Sequence, residues 1–284
     1  MTDILAKLLP LGLALLMLVV GLRLKPRDFA VVFRHPKALA VGLVVQLITL
    51  PVLAFLLGRV LGLTPMMQAG LVLVAAAPGG VTSNYIAHLA RADLALSTGM
   101  TLMTTLLASV TIPAVLALFG VADLGGAAGI AKLSGAMFAV SIVPMLLGMA
   151  LGAVSHRWQH RLLVVLEPVA KAIFAAMVLA TFVQNWQPMQ ANVAEVGLAV
   201  IGLNLGALCF ALMASKFANL PWAQTRAIMV EASLQNVAVA MFVAGSLLGE
   251  PALVVPGLLY AMMMNLSALV QIYLGNREAA AQTA

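Results

Sequence analysis

The fold is decided by the stretch Pro78-Gly79-Gly80-Val81-Thr82-Ser83-Asn84, which interrupts a long apolar segment of the chain. Apolar residues precede it from Leu71 to Ala77, and a mostly apolar run from Tyr85 to Ala90 follows it. A helix cannot pass regularly through Pro-Gly-Gly, because proline lacks the backbone N–H and glycine loosens the backbone. Inside a bilayer, each backbone group freed by such a break needs a partner, so the break must be buried in protein or line a cavity.

A second polar stretch of the same character, Glu231-Ala232-Ser233-Leu234-Gln235-Asn236, interrupts another apolar segment. Glu231 lies near the middle of that segment, where a carboxylate without a partner costs several kcal/mol. No Lys or Arg lies within four residues of Glu231 on its C-terminal side. Its partner is therefore a bound cation, a proton or a distant residue. The structural alternative is a protonated Glu231 that hydrogen-bonds between helices.

The composition indicates that this chain is embedded in a lipid bilayer. Of its 284 residues, 63% are hydrophobic and 8% are charged, and the mean hydropathy is +1.10. A soluble domain carries about 25% charged residues, so this is a helical membrane protein. The formal net charge of +6 is better explained by basic cytoplasmic loops than by a nucleic-acid partner, which we do not expect.

Nine apolar segments are long enough to span a bilayer, which takes about 20 residues of helix. They cover residues 4–22, 38–62, 66–90, 94–119, 130–153, 162–185, 193–215, 221–248 and 252–275. The third and the eighth contain the two polar interruptions. We therefore predict an all-α polytopic membrane protein of about nine transmembrane helices, with a single transmembrane domain over residues 1–284.

Lys and Arg predict the orientation, because cytoplasmic loops are enriched in these residues. Eleven of them fall in the loops after odd-numbered segments and in the C-terminal tail: Arg23, Lys25, Arg27, Arg34, Lys37, Arg91, Arg157, Arg161, Lys216, Arg226 and Arg277. Only Lys7, Arg59 and Lys132 fall on the other side. We therefore expect a multi-pass protein of the cell inner membrane, with the N-terminus outside and the C-terminus in the cytoplasm.

The two interrupted segments indicate an internal repeat. Pro65-x-x-Gln68 opens the third segment and Pro221-x-x-Gln224 opens the eighth, and each is followed by a polar break closing on Asn. Five spans separate the two segments, and an odd number inverts the topology. Segments two to four would then correspond to segments seven to nine. An inverted repeat with two discontinuous crossing helices is typical of a secondary transporter with its binding site at mid-membrane.

Around the two breaks, the sequence offers oxygen ligands rather than nitrogen or sulfur. Apart from Glu231, they are Gln46, Ser83, Asn84, Ser97, Thr101, Gln235 and Asn236. Sodium and other hard cations prefer carboxylate, amide, hydroxyl and carbonyl oxygen. Each residue alone is a weak indicator, because Ser and Thr in membrane helices commonly bond to their own backbone. The set predicts a cation site between the breaks.

The order and spacing of these motifs resemble the bile acid:sodium symporter family over essentially the whole chain. The matching motifs are Gly21-Leu22-Arg23-Leu24-Lys25-Pro26-Arg27-Asp28-Phe29, Gln46, Pro78-Gly79-Gly80-x-x-Ser83-Asn84, Ala95-Leu96-Ser97-x-x-x-Thr101 and Glu231-x-x-x-Gln235-Asn236. Two features depart from the family pattern. Bacterial relatives of known architecture have ten helices, and we expect this chain to lack the first of them, as some nine-helix members do. Ser233 stands where the family often has glycine.

The resemblance implies two sodium ions, bound behind a substrate cavity near the crossing of the two broken helices. The first ion site would consist of Ser83, Asn84, Ser97, Thr101 and Glu231. The second would consist of Gln46, Glu231, Gln235 and the backbone oxygens of Ala232 and Leu234. The residues facing the substrate would be Asn236, Asn265 and Thr82.

We therefore expect a sodium-coupled symporter that imports a small organic anion, bile-acid-like or pantoate-like, by alternating access. A panel of residues 4–22 and 130–185 would rock against a core of residues 38–119 and 193–275. The expected cofactor is Na+, and the expected partners are the organic anion and the lipid bilayer. The protein is expected to act as a monomer.

Alternative functions remain open at this point. Proton coupling through Glu231 would be separated from sodium coupling by replacing sodium with potassium at fixed pH. A channel would need a continuous polar stripe, whereas the fifth to seventh segments offer few polar residues. A membrane-embedded enzyme would need His, Cys or paired acids at catalytic depth, and the sequence has none near mid-membrane.

Overall fold

A computed structural model describes residues 2–24, 34–80, 82–120 and 124–283, and these residues are helical almost throughout. Within these ranges there is no β-strand, and six helices are long and apolar enough to cross a bilayer. Three shorter apolar helices accompany them. This confirms the prediction of an all-α polytopic membrane protein. The end of the matched motif at residues 25–29, the rest of the first basic loop to residue 33, and Val81 in the first break lie outside the described residues.

The helices are labelled here in chain order. They are α1 (Thr2–Arg23), α2 (Pro36–Val60), α3 (Pro65–Ala76), α4 (Ser83–Leu89), α5 (Leu94–Leu118), α6 (Gly126–Val154), α7 (His156–Gln184), α8 (Trp186–Phe217), α9 (Trp222–Ser233), α10 (Val237–Leu247) and α11 (Val254–Thr283). Helices α7 and α8 begin earlier than the predicted residues 162 and 193. Hydropathy identifies only the lipid-spanning part of a helix, whereas in α7 and α8 the helical backbone also includes the more polar residues that precede this part.

Both predicted interruptions divide a helix into two halves. Helices α3 and α9 contain 12 residues each, which is about 18 Å of helix and little more than half of the hydrocarbon core. The breaks after Ala76 and Ser233 therefore lie near mid-membrane.

Helices α3 and α9 begin at opposite ends of the long helix α8. The backbone N–H of Thr64, just before α3, donates to the Glu195 carboxylate near the start of α8, at 2.7 Å. Helix α9 follows the other end of α8 after a short turn at residues 218–221. The two half-helices therefore run in opposite directions through the protein.

Proline produces an irregular turn in two of the long helices. In α2, residues Val45–Thr49 form a π-helical turn just before Pro51. In α6, residues Phe138–Ile142 do the same before Pro144. A proline ring clashes with the carbonyl group four residues earlier, and a π-turn relieves that clash by widening the helix. In α2 the widened turn contains Gln46, one of the predicted ligands.

Helix α1 packs mainly against α6 and α7. Gly21 and Gly148 allow α1 and α6 to approach closely, since a Cβ on Gly148 would lie 2.1 Å from the backbone oxygen of Leu18. Glu167 of α7 forms an ion pair with Lys171 at 2.6 Å, and it also binds Arg23 at the end of α1. The remaining helices surround α3 and α9, with α8 and α11 on their outer side.

Candidate functional site

The two helix breaks cross and form hydrogen bonds with each other. The backbone N–H of Gly80 donates to the Leu234 carbonyl at 2.8 Å, and the N–H of Asn236 donates to the Pro78 carbonyl at 2.9 Å. This pairs Gly79 with Gln235 as an isolated antiparallel bridge. The Pro78 carbonyl and the Gly80 N–H, which Pro-Gly-Gly leaves without helical partners, are thus satisfied by the opposite break, as a bilayer requires.

Glu231 lies beside this crossing and is only 1% exposed. Helix α5 supplies two hydroxyl groups to its carboxylate. The Ser97 hydroxyl lies at hydrogen-bond distance from Oε1, and the Thr101 hydroxyl lies 2.9 Å from Oε2. In the part of the chain that the structure describes, no Lys or Arg forms an ion pair with Glu231.

The remaining members of the first predicted ion site surround the same carboxylate. The Ser83 hydroxyl lies 3.2 Å from that of Thr101, and Oδ1 of Asn84 lies 3.0 Å from the Ser97 hydroxyl. Ser83 is fully buried at the start of α4 and also contacts the Gly80 carbonyl at 2.7 Å. The structure thus brings Ser83, Asn84, Ser97, Thr101 and Glu231 into one cluster.

This cluster contains more hydrogen-bond acceptors than hydroxyl protons that could be donated to them. Ser97 has a single hydroxyl proton for the two acceptors within its reach, Asn84 and Glu231. Thr101 likewise lies within reach of Glu231 and of the Ser97 carbonyl. Oxygen groups that cannot all receive a hydrogen bond make a suitable environment for a hard cation.

A second cluster lies on the other side of α9 and involves Gln46 and Gln235, each 1% exposed. Nε2 of Gln46 lies 2.7 Å from Oε1 of Gln235 and 3.0 Å from the Ala77 carbonyl. Nε2 of Gln235 donates to the Ala232 carbonyl at 2.7 Å. Oε1 of Gln46 is buried and has no hydrogen-bond partner within the described ranges.

The other two members of the second predicted ion site are related to this cluster differently. The Leu234 carbonyl accepts the N–H of Gly80, which leaves one of its lone pairs available. Glu231 forms its hydrogen bonds with the first cluster, and none of the described bonds joins it to Gln46 or Gln235. The structure therefore joins Gln46, Gln235 and Ala232 directly, with Leu234 adjacent in the chain.

The three predicted substrate residues line one cavity of about 280 Å³. Thr82 lies at the first break, Asn236 at the second, and Asn265 on the facing helix α11. Most of the other lining residues are apolar, including Phe174, Val178 and Phe182 of α7, and none of the described residues that line the cavity is charged. Asn236 is also the N-cap of α10, with Oδ1 accepting the N–H of Val239 at 3.3 Å.

A smaller cavity of about 80 Å³ lies between α1, α5 and α6. Its polar lining includes Asn84, Thr98 and Thr101 beside the first cluster, and its apolar lining includes Met17 and Met145. Asn236 lines this cavity as well as the larger one. Both cavities therefore border the crossing of the breaks, and Asn236 lines each of them.

Comparison with known proteins identifies the family to which this arrangement belongs. The sequence model of the Sodium Bile acid symporter family matches residues 10–192, well over half of the chain. The chain belongs to the Sodium Bile acid symporter family. This confirms the predicted family and the prediction of a transport protein rather than an enzyme.

Several characterised or named members of the family are similar over most of this chain. It is 28% identical over 249 residues to the "Probable sodium/metabolite cotransporter BASS1, chloroplastic" of Oryza sativa subsp. japonica, covering 86% of this chain and 60% of that protein. It is 27% identical over 264 residues to the "Uncharacterized sodium-dependent transporter YocS" of Bacillus subtilis (strain 168), covering 90% and 78%. It is 26% identical over 240 residues to the "Ileal sodium/bile acid cotransporter" of Homo sapiens, covering 83% and 68%. The chain thus spans only 60% of the length of the chloroplast relative.

Three residues beside the first cluster were missed by sequence reasoning. Gly79 packs against Glu231 so closely that a Cβ at this position would lie 2.2 Å from Oε2. Thr98 is 3.2 Å from Oδ1 of Asn84, and the Thr104 hydroxyl accepts the N–H of Gly79 at 3.3 Å. A signal for the threonines was present, because hydroxyl residues recur at about one helical turn from Ser97 to Thr104.

Proposed function

We propose that this protein is a sodium-coupled symporter that imports a small organic anion by alternating access. The observation that carries the proposal is the environment of Glu231. It is a buried carboxylate at mid-membrane, with hydroxyl and amide oxygens around it and no Lys or Arg ion pair in the described ranges. Such a group needs a positive partner, and a bound cation supplies it.

Two sodium ions would share Glu231. The first would be held by Glu231, Ser83, Asn84, Ser97 and Thr101. The second would be held by Gln46, Gln235 and the backbone oxygens of Ala232 and Leu234, with Glu231 nearby. The buried Oε1 of Gln46 supports this assignment, because a buried amide oxygen with no partner is costly unless a ligand satisfies it.

Charge favours an anionic substrate in the cavity of Thr82, Asn236 and Asn265. One carboxylate at −1 and two sodium ions at +2 leave the loaded ion sites at about +1, in a protein interior that screens charge poorly. Among the residues that the structure describes, those lining the cavity include amide and hydroxyl donors and none is charged. A carboxylate with an apolar body, bile-acid-like or pantoate-like, would match both the walls and the ion charge.

The alternating movement would take place between a panel and a core. The panel would contain residues 4–22 and 130–185, and the core would contain residues 38–119 and 193–275 in an inverted repeat of nine crossings. The opposite directions of α3 and α9 support the repeat. The packing of α1 onto α6 and α7 supports the panel. Both cavities at the crossing have walls from each of these two parts.

The predicted inner loops meet at one end of the helix bundle, which supports an N-terminus outside and a C-terminus in the cytoplasm. The N–H of Asp93 donates to the Ala223 carbonyl at 2.9 Å, Arg226 donates to the Ala90 carbonyl at 3.2 Å, and Gln159 donates to the Leu22 carbonyl at 2.6 Å. We propose the cell inner membrane as its location and a monomer as its working form.

A ligand screen tests this function. Thermal unfolding of the purified protein would be followed with small carboxylates such as pantoate and with taurocholate, each in NaCl and in KCl at equal ionic strength and fixed pH. We expect one carboxylate to raise the unfolding temperature in sodium and not in potassium. Stabilisation that is equal in both salts but varies with pH would favour proton coupling through Glu231 instead.

A further inference from the structure

The C-terminal end of α9 is held in place by a buried polar network that lies outside the ion and substrate sites. The Ser233 carbonyl accepts two hydrogen bonds, from Nδ2 of Asn204 in α8 at 3.1 Å and from the Tyr260 hydroxyl in α11 at 3.0 Å. Nδ2 of Asn204 also lies 3.3 Å from the Tyr260 oxygen. All three residues are completely buried.

The peptide group that receives these bonds has a special position. The last carbonyl groups of a helix have no partners within the helix, and at mid-membrane water does not supply them. The Ser233 carbonyl belongs to the peptide plane that joins the final residue of α9 to Leu234, where the backbone becomes extended at φ −107° and ψ 99°. Two donors on one carbonyl fix the direction of this plane.

The neighbouring carbonyl groups have their partners elsewhere. The Ala232 carbonyl accepts Nε2 of Gln235, and the Leu234 carbonyl accepts the N–H of Gly80. These are the two backbone oxygens proposed for the second sodium ion. The two hydrogen bonds to the Ser233 carbonyl therefore fix the peptide group that lies between the Ala232 and Leu234 carbonyls. The directions of these two oxygens depend on that peptide group.

The network has features that simple packing does not explain. Oδ1 of Asn204 is buried without a hydrogen-bond partner among the described residues, a cost that an apolar residue of similar size would avoid. Ser233 itself also carries a polar side chain. Its hydroxyl is satisfied by Nε2 of Gln271 at 2.9 Å. Helices α8 and α11 thus hold both polar groups of this residue.

We infer that Asn204 and Tyr260 are positioning residues, which set the geometry of the second sodium site by holding the Ser233 carbonyl. They contact neither the ion nor the substrate. Helices α8 and α11 thereby determine how closely the oxygens of Ala232 and Leu234 approach the ion. The inference rests on the proposed function, because it concerns a site of that function.

Tyr260→Phe tests the inference, because it removes one hydroxyl and keeps the ring. Thr181→Val is the matched control, since Thr181 is a buried residue of α7 whose hydroxyl donates to the Met177 carbonyl of its own helix. The readouts are the sodium concentration that gives half of the salt-induced rise in unfolding temperature, and the ratio of the lithium to the sodium value. A merely structural role lowers the unfolding temperature without changing that ratio.

We expect Tyr260→Phe to raise the half-saturating sodium concentration about three- to tenfold, the value of one buried hydrogen bond, and to change the lithium-to-sodium ratio. Thr181→Val should leave both values unchanged. If Tyr260→Phe cannot be purified, Asn204→Ala provides the same measurement on the other donor. If the wild type responds to sodium and Tyr260→Phe responds in the same way, the positioning role is wrong and the proposed function stands. If the wild type itself shows no sodium response, the proposed function is wrong as well.

Discussion

At the scale of single residues, the proposed ion sites depend on Glu231. Its two oxygens are approached by hydroxyl groups of Ser97 and Thr101. The backbone of Gly79 packs on the same carboxylate. The candidate site therefore combines a mid-membrane carboxylate with two hydroxyl groups one helical turn apart and a closely packed glycine. We expect a change in any of these groups to alter it.

Ser97→Ala should weaken sodium binding without unfolding the protein. The hydroxyl contacts a charged group, and such a bond is worth about 1.5–3 kcal/mol, which corresponds to a roughly ten- to hundredfold higher half-saturating sodium concentration. The measurement is sodium-dependent stabilisation of the purified variant. Thr111→Val is the control on the same helix, because the Thr111 hydroxyl bonds to Leu107 of its own helix at 3.1 Å. An equal loss in both variants would argue against a ligand role for Ser97.

Gly79→Ala should abolish the response to sodium. The added methyl group would lie 2.2 Å from Oε2 of Glu231, so the carboxylate or the break must move. Gly135→Ala is the matched control, since nothing lies within 4 Å of a Cβ at that position. Sodium titration of thermal unfolding distinguishes the two. A Gly79→Ala protein with the wild-type sodium response would show that the carboxylate does not bind the ion in this position.

At the scale of elements, irregular helices place polar groups where regular ones would not. The π-turn before Pro51 contains Gln46, and the paired breaks expose backbone groups of Pro78, Gly80 and Leu234 to each other. In a regular helix, the backbone groups at the two breaks would form hydrogen bonds within the helix, and Gln46 would have a different orientation. The residues that interrupt or distort these helices are therefore also the ones that bring polar groups into the candidate site.

Pro51→Ala should stabilise the protein and weaken sodium binding at the same time. Alanine lets the π-turn relax towards regular helix, which gains roughly 1–3 kcal/mol in the free energy of unfolding and rotates Gln46 away from Gln235. Unfolding temperatures in potassium and in sodium measure the two effects separately. Pro144→Ala is the control, because the π-turn before Pro144 contains no predicted ligand. A Pro51→Ala variant with increased stability and an unchanged sodium response would contradict this role.

The local features of these elements were predictable and their contacts were not. Pro-Gly-Gly and a mid-membrane Glu231 are unusual in any apolar segment, so both breaks and most members of the first cluster could be identified from the sequence. The network of Asn204, Tyr260 and Ser233 could not be identified, because it joins three helices whose relative rotation depends on packing. The close approach of Gly79 to Glu231 depends on the same packing. The early starts of α7 and α8 were missed because hydropathy reports lipid contact rather than helix length.

At the scale of the whole molecule, two cavities border the crossing, with Asn236 on the wall of each. The larger cavity borders α7, and the smaller one borders α1 and α6. The walls that would have to move are therefore those of the proposed panel. Ions and substrate would remain on the core, and rocking of the panel would open one cavity while closing the other.

Transport by this arrangement should move net charge. Two sodium ions with one monoanion carry +1, so each 100 mV of membrane potential contributes about 2.3 kcal/mol, or roughly fiftyfold in the accumulation ratio. With pantoate as the probe, proteoliposomes made negative inside should accumulate more substrate than liposomes without a potential, in sodium only. Glu231→Gln proteoliposomes are the control and should show neither effect. Accumulation that ignores the potential would indicate one sodium ion per monoanion.

The most direct test of the central claim is equilibrium binding of radioactive sodium to the purified protein, compared with the Glu231→Gln variant. The variant keeps the size of the side chain, removes its charge and replaces one acceptor oxygen with an NH2 donor. We predict saturable binding of about two ions per protein in the wild type and none in the variant, because the two ions would lose the negative charge of the buried carboxylate that they share. Sodium binding that survives Glu231→Gln, or a wild type that binds none, would contradict the account.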